Sequence, residues 1–333
     1  MRKCSRAVVE LLVALLATAV SAQTIPPGQI DYHVPKPPNG AIPSNCGSYY
    51  WHSWYGTDTY SCLRIAAFSW MPLGAGWQGH IAIANYSPNK WAHVLATTED
   101  ANGFGGRTAR ISAWGQPAIS ASQIDFDLPP GASTQIVFQP DPDQPPQDGS
   151  VNVQISAPDA EAFQSLSTQL VDEAVVNGVV TWQIPVSPIY EDSAANWYTA
   201  TFLQSARDQL AAPDAANGSF AIQNLGQLST PPISVEIRIY DETGNLITHR
   251  LVENLGANSV RAFLFKDFFN PNQNPGVADL FPPNMTGALA RLRVEFQSVN
   301  GSQGVNGKPI APLVLQSHGN SISNSNVWPV PQP

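Results

Sequence analysis

Ser234-Val-Glu-Ile-Arg-Ile-Tyr240 sets Val235, Ile237 and Ile239 on one side of an extended chain and Ser234, Glu236 and Arg238 on the other. A period of two marks a strand with one face in a core and the other toward water. Ala290, Leu292, Val294 and Phe296 alternate with Arg291, Arg293 and Glu295 in the same way. The first half of the chain repeats the signal. Val151, Val153 and Ile155 stand against Asn152 and Gln154, Ile124, Phe126 and Leu128 against Asp125 and Asp127, and Val180, Trp182 and Ile184 against Thr181 and Gln183. The chain is therefore predicted to be all-β, with half-buried antiparallel strands.

The two halves also resemble one another. His80-Ile-Ala-Ile-Ala-Asn85 aligns with Ser219-Phe-Ala-Ile-Gln-Asn224, and Leu128-Pro-Pro-Gly131-Ala-Ser with Asn254-Leu-Gly256-Ala-Asn-Ser. Each later run leads into an apolar strand, Ile136–Phe138 or Ala262–Phe265. Internal duplication of this kind argues for two copies of one β-domain. Seven strands are expected in the second copy, near 198–203, 220–223, 234–240, 246–252, 260–265, 288–297 and 311–316, with a turn at Asp241-Glu-Thr-Gly244; this number fits an immunoglobulin-like sandwich. The first copy spends more residues between Ile81 and Ile111 than the second does between Phe220 and Ile237, which predicts an extra loop, Tyr86–Arg107, holding Trp91 and Phe104. A second expansion, Pro158–Asn177, is expected to hold a short helix with Phe163, Leu166 and Leu170 on one face.

The N-terminus reads as a processing signal. Arg2, Lys3 and Arg6 precede the apolar stretch Ala7–Val20, followed by Ala-Val-Ser-Ala before Gln23, which is the pattern of a cleaved secretory signal peptide, residues 1–22. About 14 apolar residues fall short of the roughly 20 that span a bilayer, so no transmembrane segment is expected in the mature chain. Six prolines between Gln23 and Asn45 describe an extended linker, residues 23–45. The domains expected are then an immunoglobulin-like sandwich over 46–190 and a second over 191–325, with a disordered tail, 326–333. In an exported chain Cys46 and Cys62 are most simply a disulfide that closes a loop and stabilises by about 3 kcal/mol.

Several of these features occur together in a known group. A Gly-Trp turn (Gly76-Trp77), strands ending in Asn85 and Asn224, and the turn Tyr240-Asp-x-x-Gly-Asn-Leu246 resemble the immunoglobulin-like repeats of secreted proteins from soil bacteria, acidobacteria especially. The resemblance spans roughly residues 60–325. It implies tandem β-sandwiches and brings no catalytic residues. The first copy departs from the pattern through its long loops and lacks the Asp-x-x-Gly-Asn turn.

Composition narrows function. Of 333 residues, 43% are hydrophobic and 12% charged, with a formal net charge of −9. A low-charge acidic chain argues against a nucleic-acid partner, which needs basic patches. Gly74-Ala-Gly-Trp-Gln-Gly79 satisfies a dinucleotide-binding pattern, but an alternating strand follows it in place of a helix, so it reads as a glycine-rich hairpin loop. The adjacent acidic pairs Glu99-Asp100, Asp172-Glu173, Glu191-Asp192 and Asp241-Glu242 read as solvated charges in loops, and Asp141–Asp148 as a proline-stiffened loop. The six histidines are scattered, and no nucleophile motif is present. The expectation is a non-catalytic protein without cofactor or metal.

The densest feature is Tyr49-Tyr50-Trp51-His52-Ser53-Trp54-Tyr55. Aromatic rings held on a disulfide-closed loop can stack on sugar faces or anchor a protein partner. A cluster completing a small core is the competing reading. Tyr49, Tyr50, Trp51, Trp54, Tyr55 and Trp91 are thus the candidate binding residues. The partner expected is an extracellular polysaccharide or another surface protein. The function expected is a secreted or cell-surface binding or structural module, with a carbohydrate-binding or carbohydrate-active protein as the alternative.

Overall fold

The computed structural model describes residues 34–35, 48–54, 57–74, 76–103, 106–113, 116–157, 166–226, 231–268, 270, 272, 289–299, 308–319 and 321–331, with side chains from Cys62 onward except Asp192 and Arg207. The expected signal peptide, Cys46, Tyr55 and Phe104 lie outside these residues, as does all of the expected linker except Val34–Pro35.

In chain order the strands are β1 (Val34–Pro35), β2 (Ser48–Trp54), β3 (Thr57–Phe68), β4 (Trp77–Asn85), β5 (Ala92–Asp100), β6 (Ala109–Ala113), β7 (Ile119–Ala121), β8 (Gln123–Leu128), β9 (Ser133–Pro140), β10 (Gly149–Ala157), β11 (Leu166–Val176), β12 (Val179–Val186) and β13 (Ile189–Tyr190). They continue as β14 (Trp197–Ser205), β15 (Ala216–Asn224), β16 (Ile233–Tyr240), β17 (Leu246–Leu255), β18 (Val260–Leu264), β19 (Leu289–Val299), β20 (Ile310–His318), β21 (Ser321–Ser325) and β22 (Trp328–Pro329).

These strands form four antiparallel sheets. The first runs β3-β10-β5-β8, with β1, β2 and β13 added to β3, and the second β12-β11-β4-β9-β6-β7. The third runs β17-β16-β19-β14-β22 and the fourth β18-β15-β20-β21. Sheets one and two enclose a core that includes Phe68, Ile81, Ile111, Phe138 and Val153. Sheets three and four enclose another around Phe202, Phe220, Phe265 and Phe296. In that second core Phe202 and Phe296 both meet Phe220 edge-to-face, at 5.3 and 5.7 Å, a geometry that adds about 0.5–1.5 kcal/mol per pair beyond burial.

The strand orders superimpose. β3-β10-β5-β8 corresponds to β14-β19-β16-β17, and β12-β11-β4-β9 to β21-β20-β15-β18. Even the short edge additions match, since β13 pairs with β3 and β22 with β14. The alternating runs face as their sequence requires: Val235, Ile237 and Ile239 are fully buried, as are Val151 and Val153.

Other expectations change. The extra loop 86–107 contains β5, whose Ala92, Val94 and Ala96 are buried; the insertion of the first copy is instead β6 and β7, between β5 and β8. Within the expansion 158–177, expected to hold a short helix, residues 166–176 form β11 instead, because Leu166 and Leu170, four residues apart, satisfy a period of two as well as a helical one. Residues 158–165, with Phe163, lie outside the described set. β11 turns into β12 through Asn177 and Gly178, with φ of 52° and 77°; two positive angles make the tight turn that matches strand twist. The second copy has an eighth strand, β21, and the tail expected to be disordered supplies β22, where Val330 N–H donates to Trp197 C=O at 2.9 Å. Within the expected linker, Val34–Pro35 pairs with Tyr60 and Thr59. The glycine-rich stretch expected as a hairpin loop connects β3 to β4, strands of different sheets, and Gly74 and Trp77 form an antiparallel bridge in which Trp77 N–H donates to Gly74 C=O at 3.0 Å, with φ of 99° at Gly74 and 88° at Gly76.

Candidate functional site

Over residues 49–54 the aromatic stretch does not form a loop. Ser48–Trp54 is the edge strand β2 of a hairpin, with Tyr49 opposite Cys62 and Trp51 opposite Tyr60; dense aromatic content favours extended backbone. Trp91, just before β5, is half-buried. Cys62 is fully buried.

A different aromatic group assembles from distant sequence. On β12, Ile184 and Val186 are buried, whereas Val180 and Trp182, of the same parity, are 42% and 37% exposed. Burial alternates only over the last part of β12, since residues 179–183 are all exposed; the strand runs beside β21 of the second sandwich. Trp77, at the start of β4, meets Trp182 at 6.4 Å and Trp70 at 5.6 Å. The three tryptophans form one wall of a cavity of about 450 Å³ between the sandwiches. Phe263, Leu264 and Ile322 face them from the second sandwich, and Asp148 and Asn217 are polar members of the lining. Volume and composition match a small-molecule cleft: mostly apolar, with a few polar groups to orient an occupant.

The joint that shapes this cleft is directly bonded. Ser69 Oγ donates to Ala311 C=O at 2.6 Å, and Gln223 Nε2 to Ser150 Oγ and Asn152 Oδ1, both at 3.1 Å. Val260 N–H donates to Ala101 C=O at 3.0 Å. Gly103 lies against the Ala257–Ser259 backbone so closely that a Cβ there would stand 2.2 Å from Ala257 O. Ala67, Leu225 and Ala311 pack together across the same joint.

Behind the tryptophan wall sits a buried ionisable pair. Arg107 is 3% exposed and Asp172 fully buried. Arg107 Nη1 donates to Met71 C=O and Gln147 C=O at 2.7 and 2.9 Å, so it fixes the segments that carry Trp70 and Asp148. Burial lowers the Arg107 guanidinium to about 10, against the pull of Asp172, Asp148 and Asp100. Burial raises the Asp172 carboxyl well above its usual value, and the charge of Arg107 offsets part of that. Among the described residues neither oxygen of Asp172 finds a donor, and Arg107 Nε and Nη2 find no acceptor.

Asp172-Glu173, expected in a solvated loop, thus lies in β11 with both residues buried. Glu173 faces the opposite side of the sheet, where it accepts from Gln78 and Gln183 at 2.7 and 2.8 Å and meets His80 Nε2 at 3.0 Å. Burial alone would raise its carboxyl, but the Gln78 and Gln183 hydrogen bonds and the His80 contact outweigh it and hold the group below its usual value. Glu99-Asp100 likewise closes β5, with Glu99 buried.

One row of residues has the composition of a hydrolase site. Ser156 stands opposite His93 and His93 opposite Asp127, with His93 Nδ1 3.0 Å from Asp127 Oδ1. Ser156 is 4% exposed, and its strand β10 is bonded on both sides, to β3 and β5. The backbone N–H groups around Ser156 are thus engaged in the β10 ladders. Among the described residues no three His, Cys, Asp or Glu side chains group as metal ligands, and no helix is long and apolar enough to cross a membrane. In comparisons with known proteins, no family model and no curated sequence matches the chain.

Proposed function

We propose that this is an exported, non-catalytic binding protein built of tandem immunoglobulin-like sandwiches, of the kind found in secreted proteins of soil bacteria, and that its ligand seats in the cleft between them. The observation that carries this reading is the open wall of Trp70, Trp77 and Trp182 facing Phe263 and Leu264 across about 450 Å³. Apolar side chains at inward-facing strand positions normally complete a core; here they border an open cavity held in shape by a bonded joint. Export is read from the sequence of residues 1–22, and a Cys46–Cys62 disulfide is supported by the complete burial of Cys62.

The test is a screen of extracellular glycans and small organic ligands against the mature protein, followed by tryptophan fluorescence. The parent is compared with Trp182→Ala and with the double variant Trp51→Ala/Trp54→Ala. Binding lost in Trp182→Ala and kept in the double variant supports the cleft. Binding lost only in the double variant moves the site to the β2 hairpin and favours the carbohydrate alternative. No binding in any arm returns the protein to a structural spacer.

A further inference from the structure

The chemistry of the cleft lining restricts what it can hold, given that the cleft is the binding site. Asp148 is the only ionisable side chain that borders it, and no Lys, Arg or His lines it among the described residues. The Asp148 side chain is exposed, so its carboxylate is open to an approaching group. Arg107, the cation that acts on Asp148 from inside, is buried and spends Nη1 on two backbone carbonyls. Asn217 also lines the cleft, with its Oδ1 buried. Ser219 and Ser317 Oγ already donate to Leu315 C=O and Asn217 C=O, at 3.5 and 3.2 Å, which leaves their oxygens as acceptors. Asp148 therefore gives the lining its one formal charge, and that charge is negative. The rest of the lining mixes aliphatic side chains with the indole and phenyl rings of Trp70, Trp77, Trp182, Phe220 and Phe263, whose negative ring faces attract cations.

From this juxtaposition of three tryptophans with a lone exposed carboxylate, we infer that the ligand is a small organic cation: a protonated amine on an aromatic or short apolar body. The amine meets Asp148 and the apolar body lies against Trp77 and Trp182. An anion would face Asp148 unpaired, and a neutral polyol would leave most of the indole surface without a stronger partner. The net charge of −9 adds a field of the same preference.

The experiment titrates the full mature chain with benzylammonium, benzyl alcohol, benzoate and Nα-acetyl-lysine methylamide, read by tryptophan fluorescence and calorimetry. Benzylammonium is expected to bind at least tenfold more tightly than benzyl alcohol, with benzoate weakest. Raising salt should weaken only the cation. Asp148→Asn should bring benzylammonium down to the affinity of the alcohol while the alcohol is unchanged. Circular dichroism confirms that the exposed substitution leaves the fold intact. Equal binding of alcohol, benzoate and amine that Trp182→Ala abolishes overturns the cation inference and leaves the cleft reading standing. Tighter binding of the lysine derivative than of benzylammonium overturns the free-ligand assignment in favour of a protein lysine. Absence of binding by all four, with Trp182→Ala indistinguishable from the parent, overturns both.

Discussion

Asn85 and Asn224 hold equivalent places in the two sandwiches and share three bonds. Each ends its strand fully buried. Asn85 Nδ2 donates to Leu128 C=O, the end of β8, at 3.2 Å, and Asn224 Nδ2 to Leu255 C=O, the end of β17, at 2.9 Å. Each Oδ1 accepts from the backbone two residues on, Ser87 N–H at 3.1 Å and Gly226 N–H at 2.8 Å. Each backbone N–H donates just ahead of the following strand, to Ala132 C=O and Ser259 C=O at 2.8 and 3.1 Å. A short amide suits this corner because it both donates and accepts, clamping the strand exit to the turn of the facing hairpin.

Truncating either amide strands buried backbone groups, each at about 1–3 kcal/mol. Asn85→Ala and Asn224→Ala are therefore expected to lose about 2–4 kcal/mol in urea unfolding. Asn→Asp should be worse at pH 7 than Ala, since a carboxylate cannot donate and would face carbonyl oxygens. A loss below about 0.5 kcal/mol at both sites would show that the shared motif is incidental.

Asp172 gives the fold a pH dependence of unusual sign. A carboxyl raised by burial is held more tightly by the folded chain than by the unfolded one. Its contribution is complete below the unfolded value, near about 4, and is lost as pH rises toward the folded value. Glu173, held low, contributes with the opposite sign, but its window closes below the usual carboxylate range; the lowered Arg107 titrates near 10. Between pH 5 and 8 Asp172 therefore dominates among these three. The parent is expected to lose stability over that interval, and Asp172→Asn, which keeps the shape of the protonated form, should be flat. Arg107→Met frees the Met71 and Gln147 carbonyls and should cost about 2–4 kcal/mol. Guanidinium unfolding at four pH values checks both, and parallel profiles for parent and Asp172→Asn would refute the assignment.

What the sequence made legible was the fold, because alternation at 151–155 and 234–240 reports local geometry and the duplicated Asn-ended strands report a repeat. β5 was missed because Ile111 offered a better apolar match to Ile237 than the Ala- and Thr-rich run 92–98 that actually takes its place. β21, Ser-Ile-Ser-Asn-Ser, has one apolar residue and stays invisible to any hydrophobic period. The cleft was not legible, since Trp70, Trp77, Trp182 and Leu264 meet only through the packing of two sandwiches. A local signal did exist for Asp172. It falls on the inward parity of Leu170 and Ala174, where a solvated charge does not belong.

The rigidity of the joint can be tested at a glycine with a matched control. Gly103 and Gly131 both have positive φ, 73° and 68°, so alanine costs about 1 kcal/mol of backbone strain at either. A Cβ at Gly131 meets nothing within 4 Å, whereas at Gly103 it would strike Ala257 O at 2.2 Å and Ser259 N at 2.5 Å, backbone atoms that cannot rotate away. Gly131→Ala should therefore lose only that strain and leave the joint closed. Gly103→Ala must push the turn 256–259 off the first sandwich, opening the Val260–Ala101 bond and widening the cleft. Hydrogen exchange at the Val260 amide reads the difference directly: faster in Gly103→Ala and unchanged in Gly131→Ala. Equal exchange in both variants would mean that the sandwiches already part in solution, and the cleft could not then be held in shape by its joint.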